Sequence, residues 1–537
     1  MKSILFLAGV ALLIGGYLVR EGQTAPVTPH RGLYEISLVS EVSLADPYLG
    51  LELQVTFTRP DNTLVTVDAF YDGALEGKSV FKARAYCDAL GKWTWRATSN
   101  LADLDGQRGA FKVTPSELPG KLRKHPADPH QFAYDTGQWF LHIGDTGYRY
   151  LTDTEPEWQA YIDQAVQLGA TKLRVWFSKS RSGVEALLEP DRSALNLEYW
   201  QEMDRRLQYA LGHYPQVILQ LIPYGEDLDE LRRYGEGDRM AQFIAAYSQA
   251  RFSAYPNVLW CVSNDRTLVA DEAEATGNKV HASLIDQIAR DMAAREPWGT
   301  LLTNHQARNT GYAFATAPWS DIITLEALDQ VTGNLLLEYR EKSDDPVIND
   351  EDRYELYRPP AHPRYFFRRL MWASLLSGGA ATYGGAKTYE PYDGQSRGVR
   401  GYYDLKKEGR LSGGADDFVH IHTFFEKAGL TLVGMEPADA LVGGDPTQAK
   451  AIASDSAIIV YLPNPDAPSP EQATAARTPA TCSLQLPEGD WALSWFNPRT
   501  GKGLEEPPVT VTGGITPCHC QAPFTGDALL VARHTGH

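Results

Sequence analysis

Asp265, preceded by Asn264, and Glu351, inside the run Asn349-Asp350-Glu351-Asp352, are the acids of this sequence best set for acid/base or nucleophilic work. Each follows a short apolar run of the kind that forms a buried strand, 258–262 before Asp265 and 346–348 before Glu351. Two carboxyl groups flanking a glycosidic bond can cleave it. One protonates the leaving oxygen and the other attacks the anomeric carbon or activates water. At comparable strand-end positions the sequence offers Asp145, Arg174, Trp176, Tyr224, His305, Glu326 and Tyr383. Amides, carboxylates and flat aromatic faces in such density suit an uncharged polyhydroxylated ligand, an oligo- or polysaccharide. Asn264, next to the acid, is placed to hydrogen-bond a sugar hydroxyl beside the reacting carbon.

Every one of these residues has a competing structural use. Glu351 could pair with Arg353 or cap the following helix, with Glu355 as reserve nucleophile; Asp265 could pair with Arg266; Glu326 rivals both acids. Asp145 also reads as a turn residue. Arg174 points either inward, as a charge partner for Asp145 or Glu351, or out to solvent. His305 also suits a hydrogen-bonded structural role, and Trp176, Tyr224 and Tyr383 suit core packing, as do Trp139, Trp158 and Trp372.

The elements that would position these groups come from the middle of the chain. Apolar runs at 139–143, 172–177, 216–222, 258–262, 301–303, 322–325, 346–348 and 380–383 alternate with amphipathic stretches such as 156–168, 197–211, 240–255, 281–295 and 363–376. Eight strand-then-helix repeats over 125–432, with no Gly-rich phosphate loop after the first strand, fit a (β/α)8 TIM barrel better than a doubly wound sheet. Barrel chemistry sits on the loops after the strands, and strands 4 and 7 face each other across the mouth. Period-two alternation over 27–118 predicts an immunoglobulin-like β-sandwich, 114–129 a linker, and 434–537 a second sandwich with a surface loop at 463–480. The fold class is therefore α/β, a TIM barrel flanked by two β-sandwiches.

The whole chain agrees. Its 537 residues suffice for about three to four domains at roughly 150 residues each. With 50 Lys+Arg against 68 Asp+Glu, a net charge of −18 and no basic run, it repels phosphate backbones and excludes nucleic acid as a partner. Lys2 followed by an uncharged stretch from Ser3 to Val19 reads as a signal peptide or N-terminal anchor over 1–25. The expectation is export to the periplasm or exterior, with membrane contact only through that segment. Cys87 and Cys261 read as core residues, whereas Cys482, Cys518 and Cys520 leave any disulfide pairing open. Their spacing does not make a four-ligand zinc site, and the expectation is an enzyme without metal or cofactor.

The run Phe140-Leu141-His142-Ile143-Gly144-Asp145-Thr146, the pair Asn264-Asp265, Pro346-Val347-Ile348-Asn349-Asp350-Glu351 with Tyr354-Glu355, and the segment Trp372…Gly378-Gly379…Tyr383-Gly384 resemble apiosidase-like TIM-barrel glycoside hydrolases. The N-terminal sandwich is similar to the small domain preceding those barrels. Trp495-Phe496-Asn497-Pro498-Arg499-Thr500-Gly501 resembles their C-terminal sandwich, which is named for collagen binding. The resemblance implies a retaining arrangement with Asp265 as general acid/base and Glu351 as nucleophile, acting on plant or algal polysaccharide side chains. Asn-Asp stands where many related barrels carry Asn-Glu, which shortens the acid by one methylene. A carbohydrate-binding or adhesion protein on a degenerate barrel is the alternative. A peptidase has neither a His-Glu-x-x-His motif nor a Gly-x-Ser-x-Gly elbow to support it. The sugar and linkage stay open, and exo or endo action turns on the loops 178–194 and 388–414.

Overall fold

The computed structural model describes residues 25–535 except 43, 45, 153–156, 178–186, 226–227, 356–361, 386–400, 444–448, 468, 470–474, 507–508 and 513. All but the last residue of the expected leader, and much of the loops 178–194 and 388–414, lie outside the described residues. Near the N-terminus a five-stranded sheet (Val27–Pro29, Arg108–Thr114, Gly91–Ser99, Leu53–Thr58, Leu64–Asp68) packs on a three-stranded one (Leu33–Ser40, Lys78–Tyr86, Phe70–Leu75). Alternation turns Leu53, Val55 and Phe57 inward to meet Phe81, Trp93, Phe111 and the buried Cys87.

The central region is a near-closed barrel of eight parallel strands: β1 (Gly144–Thr146), β2 (Lys172–Trp176), β3 (Ile218–Ile222), β4 (Val258–Cys261), β5 (Leu302–Thr303), β6 (Ile323–Glu326), β7 (Val347–Glu351) and β8 (Ala380–Tyr383). Their spatial order is β5-β4-β3-β2-β1-β8-β7-β6. Between β5 and β6 the backbone ladder gives way to local bridges. Asp321 N donates to Leu302 O at 2.9 Å, Leu302 N donates to Asp321 Oδ2 at 2.9 Å, and Thr303 Oγ1 donates to Ile322 O at 2.6 Å. Surrounding helices include Glu157–Gln167, Leu197–His213, Arg239–Phe252, Ala282–Arg295 and Arg364–Leu376, close to the expected stretches.

The first strand differs from expectation. The apolar run 139–143 does not enter the barrel ladder; its Trp139–Phe140 pairs with Asp128–Tyr134, which pairs with Leu122–His125. This antiparallel sheet floors the barrel. Leu122, Phe132, Tyr134 and Phe140 pack on Ile218, Leu259, Leu301, Ile322, Ile348 and Ala380. An open barrel bottom would leave those apolar strand ends in water, and covering them is where the run spends its hydrophobicity. The stretch 114–129 is accordingly no free linker. It supplies the strand Leu122–His125, and Lys121 is buried with its Nζ donating to Ser253 O, Tyr255 O and Thr300 Oγ1 at 2.8–2.9 Å.

The C-terminal region is a second pair of sheets. One runs Glu436–Pro437, Lys450–Ala453, Ala457–Leu462, Ala528–His534, Gly489–Asn497, Lys502–Glu505, with Val509–Val511 also on Gly489–Asn497. The other holds Val442–Gly443, Pro479–Leu486 and Thr516–Thr525. Buried ion pairs tie both flanks to the barrel. Arg84 of the N-terminal sandwich meets Asp204 at 2.7 Å, and Asp204 also takes Arg251, which reaches back to Asp72 at 2.7 Å. Arg368 holds Asp527 through two bonds of 2.6 and 2.8 Å. No described helix is long and apolar enough to cross a membrane.

Candidate active site

Strand alternation stacks the barrel interior in layers. Above the apolar floor, Lys172 and Arg174 on β2, Asp350 on β7 and Thr382 on β8 point inward, because residues two apart share a face. Lys172 Nζ pairs with Asp350 Oδ1, which also accepts from Thr382 Oγ1 at 2.6 Å. Burial pushes Lys172 down to about 8, partly offset by Asp350. Burial alone would raise Asp350, but Lys172 and Arg174 hold it well below the usual carboxylate range. Gly144 permits the close packing here, since a Cβ would lie 2.2 Å from Thr382 Oγ1.

Glu351 sits one layer up. Between β6 and β7 the register shifts: Leu325 pairs with Asn349, yet Glu326 pairs with Glu351. This bulge on β7 sets Asp350 into the interior charge layer and brings Glu351 beside Glu326 at the mouth. Glu351 Oε2 accepts from the Tyr148 hydroxyl at 2.6 Å and from Arg174 Nη1 at 3.0 Å. The same two donors reach Asn264 Oδ1, Arg174 Nη2 at 2.8 Å and Tyr148 at 3.1 Å. Arg174 Nη1 also donates to Asp350 O at 2.6 Å. The Tyr148 ring stacks on Trp176 with centroids 3.9 Å apart and 8° between planes, and Arg174 lies 4.8 Å from its centroid. Gly225 makes room for the stack: a Cβ there would fall 2.5 Å from Trp176 Cδ1.

The other Glu351 oxygen faces a second cluster. Arg308 Nη2 stands 4.0 Å from Glu351 Oε1, while its Nε donates to Glu326 Oε1 at 2.8 Å. Glu326 Oε2 and both ring nitrogens of His305 are buried and meet no hydrogen-bond partner among the described residues. Burial, then the neighbouring Glu351 and Asp265, push the Glu326 pKa well up. Burial and Arg174 push His305 well down, so it is a neutral imidazole. Asp265 is half-buried on the loop after β4 with φ +51°, a left-handed backbone unusual for a residue with a Cβ. Neighbouring loops fix it there. Asn304 Oδ1 accepts from Ser263 N and Oγ at 3.2 and 2.8 Å, His305 N donates to Ser263 O at 3.1 Å, and Asn278 Nδ2 donates to Asp265 O at 2.9 Å.

The structure thus brings together Arg174, Trp176, Asn264, Asp265, His305, Glu326 and Glu351, and sets three of the expected site residues elsewhere. Asp145 lies within β1 rather than after the first strand, in register with Tyr383. Both turn away from the axis into the helix layer, since register partners share a side. Asp145 is buried, with its Oδ1 accepting from Thr146 N at 2.7 Å, and burial raises it to about 7. The Tyr383 hydroxyl donates to Glu355 and its ring packs on Phe367, Tyr402 and Phe418. Tyr224 donates to Ala241 O at 2.9 Å on the helix side of β3.

Glu355, the reserve nucleophile, is occupied as a loop anchor. Its carboxylate accepts from the backbone of Ser412, Gly413 and Gly414 and from Ser412 Oγ. Arg353 pairs with Asp329 at 2.7 Å, and Asp352 accepts from Asp329 N, Gln330 N and Asn349 Nδ2 at 2.8–3.0 Å. The acids flanking Glu351 therefore have structural partners. Sequence reasoning missed Tyr148 and Arg308. Arg308 follows His305 by three residues on the same loop, a signal that was available; the Tyr148 stack has no local signature. Of the described residues, His305, Glu326 and Glu351 could hold a metal ion, with ligand atoms within 4.8 Å of one another. Arg308 and Arg174 already place positive charge on those carboxylates, which favours hydrogen-bonding ligands over a cation.

Comparison with known proteins agrees with this architecture. The family described as Apiosidase-like, catalytic domain, matches residues 127–431, and a domain of unknown function, DUF5060, matches residues 32–100. A candidate glycoside hydrolase from Bacteroides vulgatus ATCC 8482 superposes with TM-score 0.74 at 16% identity, covering 95% of this chain and 100% of its own. A glycoside hydrolase family 5 protein from the same organism gives TM-score 0.60 at 15% identity, covering 79% of this chain and 95% of its own. No curated protein matches the chain at the sequence level.

Proposed function

Since the chain belongs to the apiosidase-like catalytic-domain family, we propose that it is a glycoside hydrolase cleaving O-glycosidic bonds in plant or algal polysaccharide side chains. The observation that carries this reading is the setting of Glu351: Oε2 is fixed by Tyr148 and Arg174, while Oε1 is turned to a mouth shared with Glu326 and Asp265. One oxygen anchored and one turned to the other acids of the barrel mouth is what a nucleophilic carboxylate requires. In a retaining cycle Glu351 attacks the anomeric carbon as Asp265 protonates the leaving oxygen. Asp265 then takes a proton from the water that releases the sugar. Asn264, His305 and Glu326 hold sugar hydroxyls, and the Trp176–Tyr148 stack walls the site.

A second reading exchanges the acid. Glu326 is kept protonated by burial and by its acidic neighbours, a property suited to a proton donor. Aryl glycosides of graded leaving-group ability separate the two. Glu351→Gln should abolish turnover of every substrate, and Asp265→Asn should spare glycosyl transfer only from activated leaving groups. The same spared pattern in Glu326→Gln, with Asp265→Asn near wild type, would move the acid to Glu326. Full activity in Glu351→Gln would overturn the nucleophile assignment. The anomer first seen by NMR in the product decides retention.

A further inference from the structure

Three of the five cysteines play no part in the proposed reaction and meet in the C-terminal sandwich. Cys482 lies on Pro479–Leu486, and Cys518 and Cys520 lie on the neighbouring antiparallel strand Thr516–Thr525. Cys482 and Cys520 are direct cross-strand partners. Opposed residues in such a pair have Cα atoms about 4.5 or 5.5 Å apart, and both spacings fall inside the roughly 4.4–6.8 Å that a disulfide spans. Cys518, two residues away on the same face, places its sulfur 3.6 Å from that of Cys520. Cys520 is therefore the hub, within reach of both other thiols. Access runs the other way: Cys482 and Cys520 are 9% and 8% exposed in the sandwich core, whereas Cys518 is only half-buried.

We propose that Cys482, Cys518 and Cys520 form a thiol–disulfide exchange site, through which small-molecule disulfides entering at Cys518 install a Cys482–Cys520 cross-strand disulfide. The Cys518 thiolate attacks one sulfur of a disulfide RSSR, forming Cys518–S–S–R and releasing RSH once the proton is returned. Cys520 attacks the Cys518 sulfur and displaces the second RSH. Cys482 then attacks the Cys520 sulfur, forming the cross-strand bond and restoring Cys518 as a thiol. Two protein thiols lose two electrons and two protons, and RSSR gains them as two RSH. Burial pushes the Cys518 thiol up to about 11, and the hydrogen bond with Cys482 and burial push Cys520 higher still, so both the entry step and the attack by Cys520 are slow near neutral pH. The product closes a chain segment between two strands and so staples one sheet of the sandwich.

The test incubates the full chain with excess oxidised glutathione at pH 8, blocks remaining thiols with iodoacetamide and maps the peptides by mass. The expected end state is a Cys482–Cys520 cross-linked peptide with Cys518 alkylated. Cys518→Ser should reach the same cross-link at least ~10-fold more slowly, because only buried thiols remain to meet the oxidant. Cys482→Ser should stop at a Cys518–Cys520 or Cys518–glutathione disulfide. Cross-linking should raise the unfolding midpoint of the C-terminal region by on the order of 10 °C. Three alkylated cysteines at the end of the incubation, an end state confined to Cys518, or a Cys518→Ser variant that cross-links as fast as wild type would each overturn the proposal.

Discussion

At the scale of single residues, one hydroxyl should matter out of proportion to its size. Tyr148→Phe keeps the stack on Trp176 but removes the 2.6 Å donor from Glu351 Oε2. A hydrogen bond to a charged group contributes about 1.5–3 kcal/mol, so its loss should lower the unfolding midpoint and cut kcat/KM roughly 10–100-fold in the protein that remains folded. A wild-type kcat/KM in that variant would show that Arg174 positions Glu351 alone. Asp145 offers the opposite test. Its folded pKa near 7 lies above its unfolded value, so the native state binds the extra proton and stability falls as pH rises from about 4 to 7. Asp145→Asn, which cannot ionise, should match wild type near pH 4 and exceed it by about 1–3 kcal/mol at pH 8. Denaturant titrations across that range check it, and parallel curves for the two proteins would contradict it. Neither behaviour is written in the local sequence. Asp145-Thr146-Gly147 reads as a turn, and only the pairing of β1 with β8 shows that its carboxyl is buried behind the strand.

At the scale of elements, the site depends on two backbone devices. The bulge on β7 sorts three consecutive acids: Asp350 goes to Lys172, Glu351 to the mouth, and Asp352 to the loop at 329–330. Close approach at Gly225 lets the loop after β3 lie against Trp176. Gly225→Ala should push that ring and the Tyr148 stacked on it, costing about 1–3 kcal/mol of stability by overpacking. The activity loss should be larger than the stability loss explains, roughly 10–100-fold in kcat/KM, because the Tyr148 hydroxyl moves with its ring. Destabilisation with unaltered kcat/KM would show that the stack does not position Glu351. The sequence rhythm located seven of the eight barrel strands, since each carries a short buried apolar run. It misplaced the first because β1 carries Gly144, Asp145 and Thr146 while the apolar run before it covers the barrel floor.

At the scale of the whole molecule, the flanking sandwiches are welded to the barrel by buried charge. Asp204 serves Arg84 from the N-terminal sandwich and Arg251 from a barrel helix. Burial would raise it, but the two guanidinium groups hold it below the usual carboxylate value. A depressed folded pKa means that its stabilisation is full above the unfolded value of about 3.9 and is lost as pH falls below it. Asp204→Asn leaves two buried arginines short of their anion and should cost about 3–5 kcal/mol at pH 7, with the difference from wild type shrinking in acid. Thermal unfolding at pH 7 and pH 3 measures both. A variant as stable as wild type at pH 7 would show that Asp72 and Glu35 suffice for the arginines.

The sequence by itself determined the three-part plan and the short list of acids, because strand alternation, helical periodicity and strand-end position are local properties of the chain. Tertiary structure decided which acids become neighbours at the barrel mouth. Asp145, Glu326, Glu351 and Glu355 all lie at or near strand ends, yet one is buried behind a strand, one anchors a loop, and two share the mouth with Asp265. The donors that fix Glu351 come from residues 177 and 203 positions away in the chain. A pairing at that separation is set by how eight strands close into a ring, a condition that no window of sequence contains.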